Sequence, residues 1–447
     1  MLCQQGLRAQ ESRQTQPSTP LSLTNPERKA VVESLCKLLD ECYIYPTVGA
    51  KMAGFLSQQF SRGIYDTFRN PQTLAYQLKK DLLLISHDEH FNIVFDPAWV
   101  RRQRDATTKR DSLDLLRQDS IQSAWRNFGF AEVRLLPGNI GYLHLTNFEN
   151  PLYAGETATA AMQFLCHADA LIVDLRNNGG GYSTMVQLLA SYLFDAEPVH
   201  IIDRYSRVGG HPGNNPDSTQ SGNYTQDWTL PYVTGHRLPN TAVYILTNHQ
   251  TFSAAESFSY FLKNRKRATI VGETTGGGAH PVDRKIITDR FYIFMPTERP
   301  VDPITGTDWE GVGVNPDVEV PAKDALLTAQ QLALEKELAG RPEDIPLSWA
   351  LAAVKVEQHP VILGAALLQS YIGVYGDRKI TFEGGKLYFQ RIGASAYAMV
   401  PLAADLFMIP ELPYIRIQFI VENGKTVGVK RLYDDGRFMQ DEKEIAR

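Results

Sequence analysis

Two short, wholly apolar runs, each leading through a polar or glycine-rich turn into a helix, constrain this chain more than any other feature. The first is Ala170-Leu171-Ile172-Val173, ending in Asp174-Leu175-Arg176. Its turn is Asn177-Asn178-Gly179-Gly180-Gly181, and a helix is predicted from Ser183 to about Leu193. The second is Ala242 to Leu246, followed by the turn Thr247 to Thr251. Its helix opens with Ser253-Ala254-Ala255-Glu256 and carries Phe258, Phe261 and Leu262 at helical spacing. Apolar runs this short and unbroken read as strands buried on both faces. Repeated strand–turn–helix units predict an α/β core whose functional loops lie at the strand ends. Ser253 then stands where a strand becomes a helix, its side chain beside the unpaired N–H groups of the helix N-terminus. Such a place also suits an ordinary N-cap serine, which is the commoner use of it. A further strand, Ala268 to Val271, ends in Gly272 and a loop running through Gly276-Gly277-Gly278 to His280.

Around this core, residues 127–340, the chain changes character several times. Residues 1–24 are polar and read as a disordered extension or the remnant of an export signal. Three amphipathic helices, from Asn25-Pro26, from about Val48 to Gly63 and from Asn70-Pro71 to about Ile85, predict a helical bundle within residues 25–96. The bundle ends in Ser86-His87-Asp88-Glu89-His90, before a strand-like Phe91 to Phe95. A solvated turn is the plain reading of that cluster, but a histidine at the mouth of a strand is also well placed as a general base. Residues 97–126 read as a linker or exposed helix. Within the core a helix is expected from Gly155 to about Cys166. A long surface loop over 204–239 includes Gly209 to Gly213, and strands are expected at 285–287 and 291–295. Residues 341–447 read as a helical linker and a small all-β domain, its strands separated by Gly-Asp and Glu-Gly-Gly turns.

Composition narrows the function. Among 447 residues, 43% are hydrophobic and 21% charged, the balance of a globular protein, and the net charge is −5. Nothing favours a nucleic acid as partner: the basic clusters Arg101 to Arg104 and Lys263 to Arg267 lack interleaved aromatics and read as solvated surface. The cysteines Cys3, Cys36, Cys42 and Cys166 form no C-x-x-C pair, so no metal or redox site is expected and free thiols are the simplest reading. No apolar run reaches membrane-spanning length. The glycine turns lack a following Lys-Ser or Lys-Thr, which excludes a P-loop.

Four stretches taken in order, Asp174 to Gly181, Thr251 to Glu256, Gly272 to His280 and Glu310-Gly311-Val312-Gly313-Val314-Asn315-Pro316-Asp317, resemble the C-terminal-processing (tail-specific) protease family. The branch most similar is that of interphotoreceptor retinoid-binding protein, and the resemblance covers about residues 25 to 325. It implies a crotonase/ClpP-like β-β-α core, and the C-terminal β segment resembles a lipocalin-like domain. Position by position, it makes Ser253 the nucleophile, with Gly180 and the Ala254 backbone N–H as oxyanion-hole donors. Many members carry a base lysine in a Gly-x-x-Thr-x-Gly-Lys context, and here that place falls in Gly276-Gly277-Gly278. The tricorn-protease branch instead uses a histidine before the core and a late glutamate, which His90 and Glu310 match. Neither His280 nor Lys285 fits the pattern, though both lie near enough in sequence to be weighed as substitute bases. The resemblance thus implies a serine peptidase with polypeptide substrates, an acyl-enzyme and no cofactor, exported to the periplasm or beyond. Because the retinoid-binding relative shows that such a fold can carry lipids, the alternative is a non-catalytic carrier of retinoid or fatty-acid-like ligands.

Overall fold

The computed structural model describes residues 22–106, 109–207 and 222–444. The N-terminal segment up to residue 21, with Cys3, and the run Gly209 to Gly213 lie outside the described residues. The chain forms two compact units, one of Met1–Ser112, Tyr205–Tyr224 and His280–Arg299, the other of Leu113–Arg204, Thr225–Ala279 and Pro300–Arg447.

In the first unit the helices Asn25–Cys42, Pro46–Ser61 and Pro71–Ser86 each carry proline at the first or second position, where its fixed φ suits a first helical turn. Thr24 and Glu27 form a capping box on the first, and Asn70 caps the third. Leu35, Leu39, Leu56, Leu78 and Leu82 are fully buried between them. Each contributes about 2 kcal/mol by leaving water. Phe291, Ile293 and Met295 enter the same core from a three-stranded antiparallel sheet of Asn92–Phe95, Phe291–Pro296 and Val282–Ile286. The predicted helices are thus present within a few residues, and the segment after them is ordered as two helices, Pro97–Asp105 and Lys109–Ala124.

The second unit is built on a six-stranded sheet in the order Val318–Glu319, Ala268–Gly272, Ala242–Thr247, Ala170–Asp174, Ile140–Leu145 and Phe130–Leu136. All neighbours are parallel except the last pair. Leu171, Val173, Val243 and Ile245 face one core with the helices Pro151–Phe164, Ser183–Ser191 and Ala254–Asn264. Ala170, Ile172, Tyr244 and Leu246 face a second core, under Ala325–Gly340 and Ile345–Gln358. Helices on both faces explain why these runs show no polar alternation.

Several expectations needed adjustment. Asn150 caps the helix predicted from Gly155, which therefore starts at Pro151 and ends at Phe164. The expected loop 204–239 is partly strand: His200–Arg207 runs into its start and Gly222–Trp228 lies within it, both segments holding β-branched or aromatic residues that favour strands. Beyond Leu363 two antiparallel sheets of four and five strands enclose a core that includes Tyr371, Tyr375, Phe407 and Phe419. Tyr371 and Phe419 stack with centroids 4.0 Å apart.

Candidate active site

Parallel pairing of Ala170–Asp174 with Ala242–Thr247 brings the two turns out side by side at one edge of the sheet. Hydrogen bonds lock them together. Asn177 N–H donates to Asn248 Oδ1 at 3.1 Å, Asn248 Nδ2 donates to Asn177 Oδ1 at 2.9 Å, and Phe252 N–H donates to the Asn178 carbonyl at 2.9 Å. The Thr251 hydroxyl donates to the Leu175 carbonyl at 2.9 Å. Below the first turn, Asp174 is buried and receives Arg176 Nε at 2.9 Å and the Tyr142 hydroxyl at 2.8 Å. The Asp174 carboxylate holds the Arg176 guanidinium above its ordinary pKa, and burial together with the same carboxylate pushes the Tyr142 hydroxyl well up. Arg176 Nη1 also donates to the Ala322 carbonyl at 2.6 Å, so the turn is tied to the segment ahead of the Ala325–Gly340 helix.

Ser253 precedes the helix Ala254–Asn264 with φ 54° and ψ −118°. An ordinary capping serine sits in the extended region, whereas this conformation costs about 1–3 kcal/mol and persists only where surroundings impose it. Gly180, at φ 100°, is packed against it: a β-carbon there would lie 2.7 Å from Ser253 Cβ, 2.8 Å from the Phe252 carbonyl oxygen and 2.9 Å from Ala254 N. Ala254, first in the helix, donates its N–H to no acceptor among the described residues, as an anion-binding amide requires. The Gly180 N–H donates to Asn178 Oδ1 at 2.9 Å, so that amide already has an acceptor. Of the residues singled out from sequence, Ser253, Ala254 and Gly180 are brought together.

The strain at Ser253 is held by Glu256, which sequence reasoning passed over. This fully buried carboxylate accepts the Ser253 N–H at 2.8 Å and the Gly278 N–H at 2.9 Å on one oxygen. Its other oxygen accepts the Gly277 N–H at 2.7 Å and the Thr275 hydroxyl at 2.5 Å. The Thr275 oxygen itself accepts the Val314 N–H at 2.7 Å, so its proton must point to Glu256. Burial pushes the Glu256 carboxyl up, while the four donors act to lower it. Its only sequence signal was the Ser-x-x-Glu spacing of a capping box.

Glu310 lies on the loop that covers the glycine-rich segment. Its Oε2 accepts the Ala279 N–H at 2.6 Å, Trp309 Nε1 donates to the Gly278 carbonyl at 2.8 Å, and Gly311 N–H donates to the Gly277 carbonyl at 2.8 Å. The tight glycines are needed here: a β-carbon on Gly278 would fall 2.0 Å from Phe252 Cζ.

His90 belongs to the first unit, with Asp88 and His280. The Pro71–Ser86 helix ends at His87 in the left-handed region, φ 56°, and Asp88 follows, buried. Asp88 Oδ1 accepts the His90 backbone N–H at 3.1 Å and lies 3.4 Å from His90 Nδ1. Asp88 Oδ2 is 2.7 Å from His280 Nδ1 and accepts from the Tyr43 hydroxyl at 3.4 Å. Burial pushes the Asp88 carboxyl up, but the bonds from His280 and His90 outweigh this and hold it well below the usual carboxylate range. His280 Nε2 meets the Tyr45 hydroxyl at 3.3 Å. With Nδ1 carrying its proton to Asp88, that nitrogen accepts from Tyr45 and is occupied, which argues against His280 as a free base. Lys285 is paired with Asp283 at 3.0 Å on the strand Val282–Ile286. Cys36, Cys42 and Cys166 are free thiols.

Residues 139–320 match Peptidase family S41, which bears out the resemblance to C-terminal-processing proteases drawn from the motifs. A tail-specific protease of Haemophilus influenzae is 29% identical over 111 residues, 25% of this chain and 13% of that protein. A chloroplastic C-terminal processing peptidase of Tetradesmus obliquus is 28% identical over 206 residues, 42% of this chain and 38% of that protein. The chain therefore spans well under half the length of either curated relative. Among solved structures, a lipoprotein from Streptococcus agalactiae aligns with TM-score 0.47 and 16% identity, covering 71% of this chain and all of that one. The photosystem II D1 C-terminal processing protease aligns with TM-score 0.39 and 16% identity, covering 66% and 93%. No helix among the described residues is long and apolar enough to cross a membrane.

Proposed function

We propose that this chain is a serine peptidase that hydrolyses polypeptide substrates through an acyl-enzyme on Ser253. The observation that carries the reading is the conformation of Ser253, held at φ 54° on a strand-to-helix turn with Gly180 against its β-carbon and the Ala254 N–H unused beside it. In the proposed cycle His90 takes the Ser253 hydroxyl proton as the oxygen attacks the scissile carbonyl, then returns it to the departing amine. Glu310 supports the base. The Ala254 and Gly180 amides receive the oxyanion, Gly180 by exchanging its bond to Asn178, and such donors are worth about 3 kcal/mol each. Water then hydrolyses the ester by the same relay. The reading extends to a crotonase/ClpP-like core over residues 127–340, a helical bundle over 25–96 and a lipocalin-like β domain within 341–447. Export to the periplasm or the extracellular space is part of the same proposal. The carrier alternative gains nothing from the comparisons, which match peptidases.

Intact-mass analysis after treatment with a fluorophosphonate probe tests this directly. Wild type is expected to gain one adduct, lost in Ser253→Ala and reduced by orders of magnitude in His90→Ala. Absence of an adduct on folded wild-type protein overturns the reading.

A further inference from the structure

The first unit contains a carboxylate shared by two imidazoles that no residue assignment above uses. Asp88 is 1% exposed. One oxygen bonds the His280 ring at 2.7 Å, while the other faces the His90 ring at 3.4 Å and fastens the His90 backbone at 3.1 Å. Both side chains of the Asp88–His90 pair are at most 6% exposed.

The local sequence builds this arrangement. The left-handed turn at His87 ends the helix, Ser86 Oγ accepts the Asp88 N–H at 3.2 Å, and Asp88 Oδ1 closes an Asx turn onto His90 two residues on. The backbone bond and the ring contact use the same Asp88 oxygen, so the turn that places His90 also presents its ring to the charge. On the other side the Tyr45 hydroxyl, His280 Nε2, His280 Nδ1 and Asp88 Oδ2 form one directed chain, fixed by the fact that a carboxylate only accepts. The Tyr43 hydroxyl also faces the carboxylate, and Arg207 Nη1 binds the Tyr43 carbonyl at 3.1 Å. The His280 ring, the His90 backbone and the Tyr43 hydroxyl all donate toward Asp88, which favours its ionised form.

We propose that Asp88 is the positioning carboxylate of the His90 base: it fixes the ring with Nδ1–H toward itself and stabilises the imidazolium formed when His90 accepts a proton. His280 holds the second Asp88 oxygen and so prevents the carboxylate from rotating away. The inference rests on His90 serving as base in the proposed peptidase. It differs in assigning a carboxylate from the base's own turn to a role that the family resemblance gave to Glu310 alone.

The test uses the full chain labelled with ¹⁵N-histidine, the two rings being assigned by His90→Gln and His280→Gln. At pH 8 both wild-type rings are expected as the Nδ1–H tautomer, the minor form of free histidine. Either ring as the Nε2–H tautomer overturns the proposal without any variant at Asp88. In Asp88→Asn the rings are expected to lose that preference, with partial return in Asp88→Glu. Unchanged ring signals in a folded Asp88→Asn protein also overturn it. In turnover of a peptide substrate, Asp88→Asn is expected to move the acidic limb of kcat/KM about one pH unit lower and to reduce kcat about 100-fold or more. An unmoved limb with wild-type kcat contradicts the assignment. Should wild-type protein prove unreactive to the fluorophosphonate probe, the peptidase reading fails separately, and the ring tautomers still decide whether Asp88 positions His90.

Discussion

Gly180 approaches Ser253 so closely that a β-carbon on the glycine would stand 2.7 Å from the serine's own, inside any real contact between such atoms. Its neighbour Gly179 has open space around the corresponding point. Gly180→Ala should therefore lower kcat/KM at least 100-fold, about 3 kcal/mol of transition-state stabilisation, by displacing the serine and the Ala254 amide. Gly179→Ala should stay within about threefold of wild type, a difference of under 1 kcal/mol. Steady-state kinetics on the two variants, with melting curves to confirm folding, separates them. Equal losses would contradict this account.

Glu256 accepts four hydrogen bonds and donates none. An amide in its place must turn an NH₂ group toward N–H or O–H donors. Glu256→Gln is thus expected to cost about 3 kcal/mol in urea unfolding and to abolish probe labelling of Ser253. A variant of wild-type stability that labels normally would show that the loop and the serine turn are held by other contacts.

Removing Asp174 leaves the Arg176 guanidinium in a largely buried site without its carboxylate. Asp174→Ala should destabilise the protein by about 3 kcal/mol, and replacing Arg176 as well should recover part of that loss. A double-mutant cycle by chemical denaturation measures the coupling. Strict additivity would place the stabilisation elsewhere, for instance in Tyr142.

The Asp88 carboxyl titrates below its usual range in the folded chain, so the stability it contributes exists above the unfolded pKa and disappears as pH falls through the folded one. Asp88→Asn should cost about 2 kcal/mol between about pH 5 and pH 7, and the gap to wild type should shrink below about pH 4. Denaturation curves at stepped pH check this, and parallel profiles down to pH 2 would refute it.

Arg416 of the C-terminal β segment lies over the Trp349 ring at 4.5 Å and donates to the Trp349 carbonyl at 2.8 Å. Burial pulls its guanidinium down to about 10. Because the β segment has a core of its own, Arg416→Ala should loosen its seating by about 2 kcal/mol and split the calorimetric transition into two. A single unshifted transition would rule this link out as important.

The doubly buried strands were legible because helices on both faces require continuous apolar runs, and Ala170–Asp174 and Ala242–Thr247 supply them. The first and third N-terminal helices announced themselves by proline at their first turns, while the second was read from its apolar pattern and begins two residues earlier than expected, at Pro46. The strands of residues 200–228 were hidden among glycine and proline, and the lone carboxylate contacts were invisible for a different reason. Glu256 and Asp88 act through partners far along the chain, Gly277 and His280, and no local pattern encodes which loop will return to meet them. Ser253 and the His87 to His90 cluster stood out by their place at strand ends, whereas Glu310 and the roles proposed for all three residues came from motif resemblance.

The ring of Phe252 fills the space that a side chain at Gly278 would need, with Cζ 2.0 Å from the missing β-carbon. By the Gly-x-x-Thr-x-Gly-Lys pattern, Gly278 is where related enzymes place their lysine. Placing that lysine on this scaffold would first require the Phe252 ring to move aside. In this chain the space a side chain at residue 278 would need is thus already taken by residue 252, 26 positions earlier in the sequence.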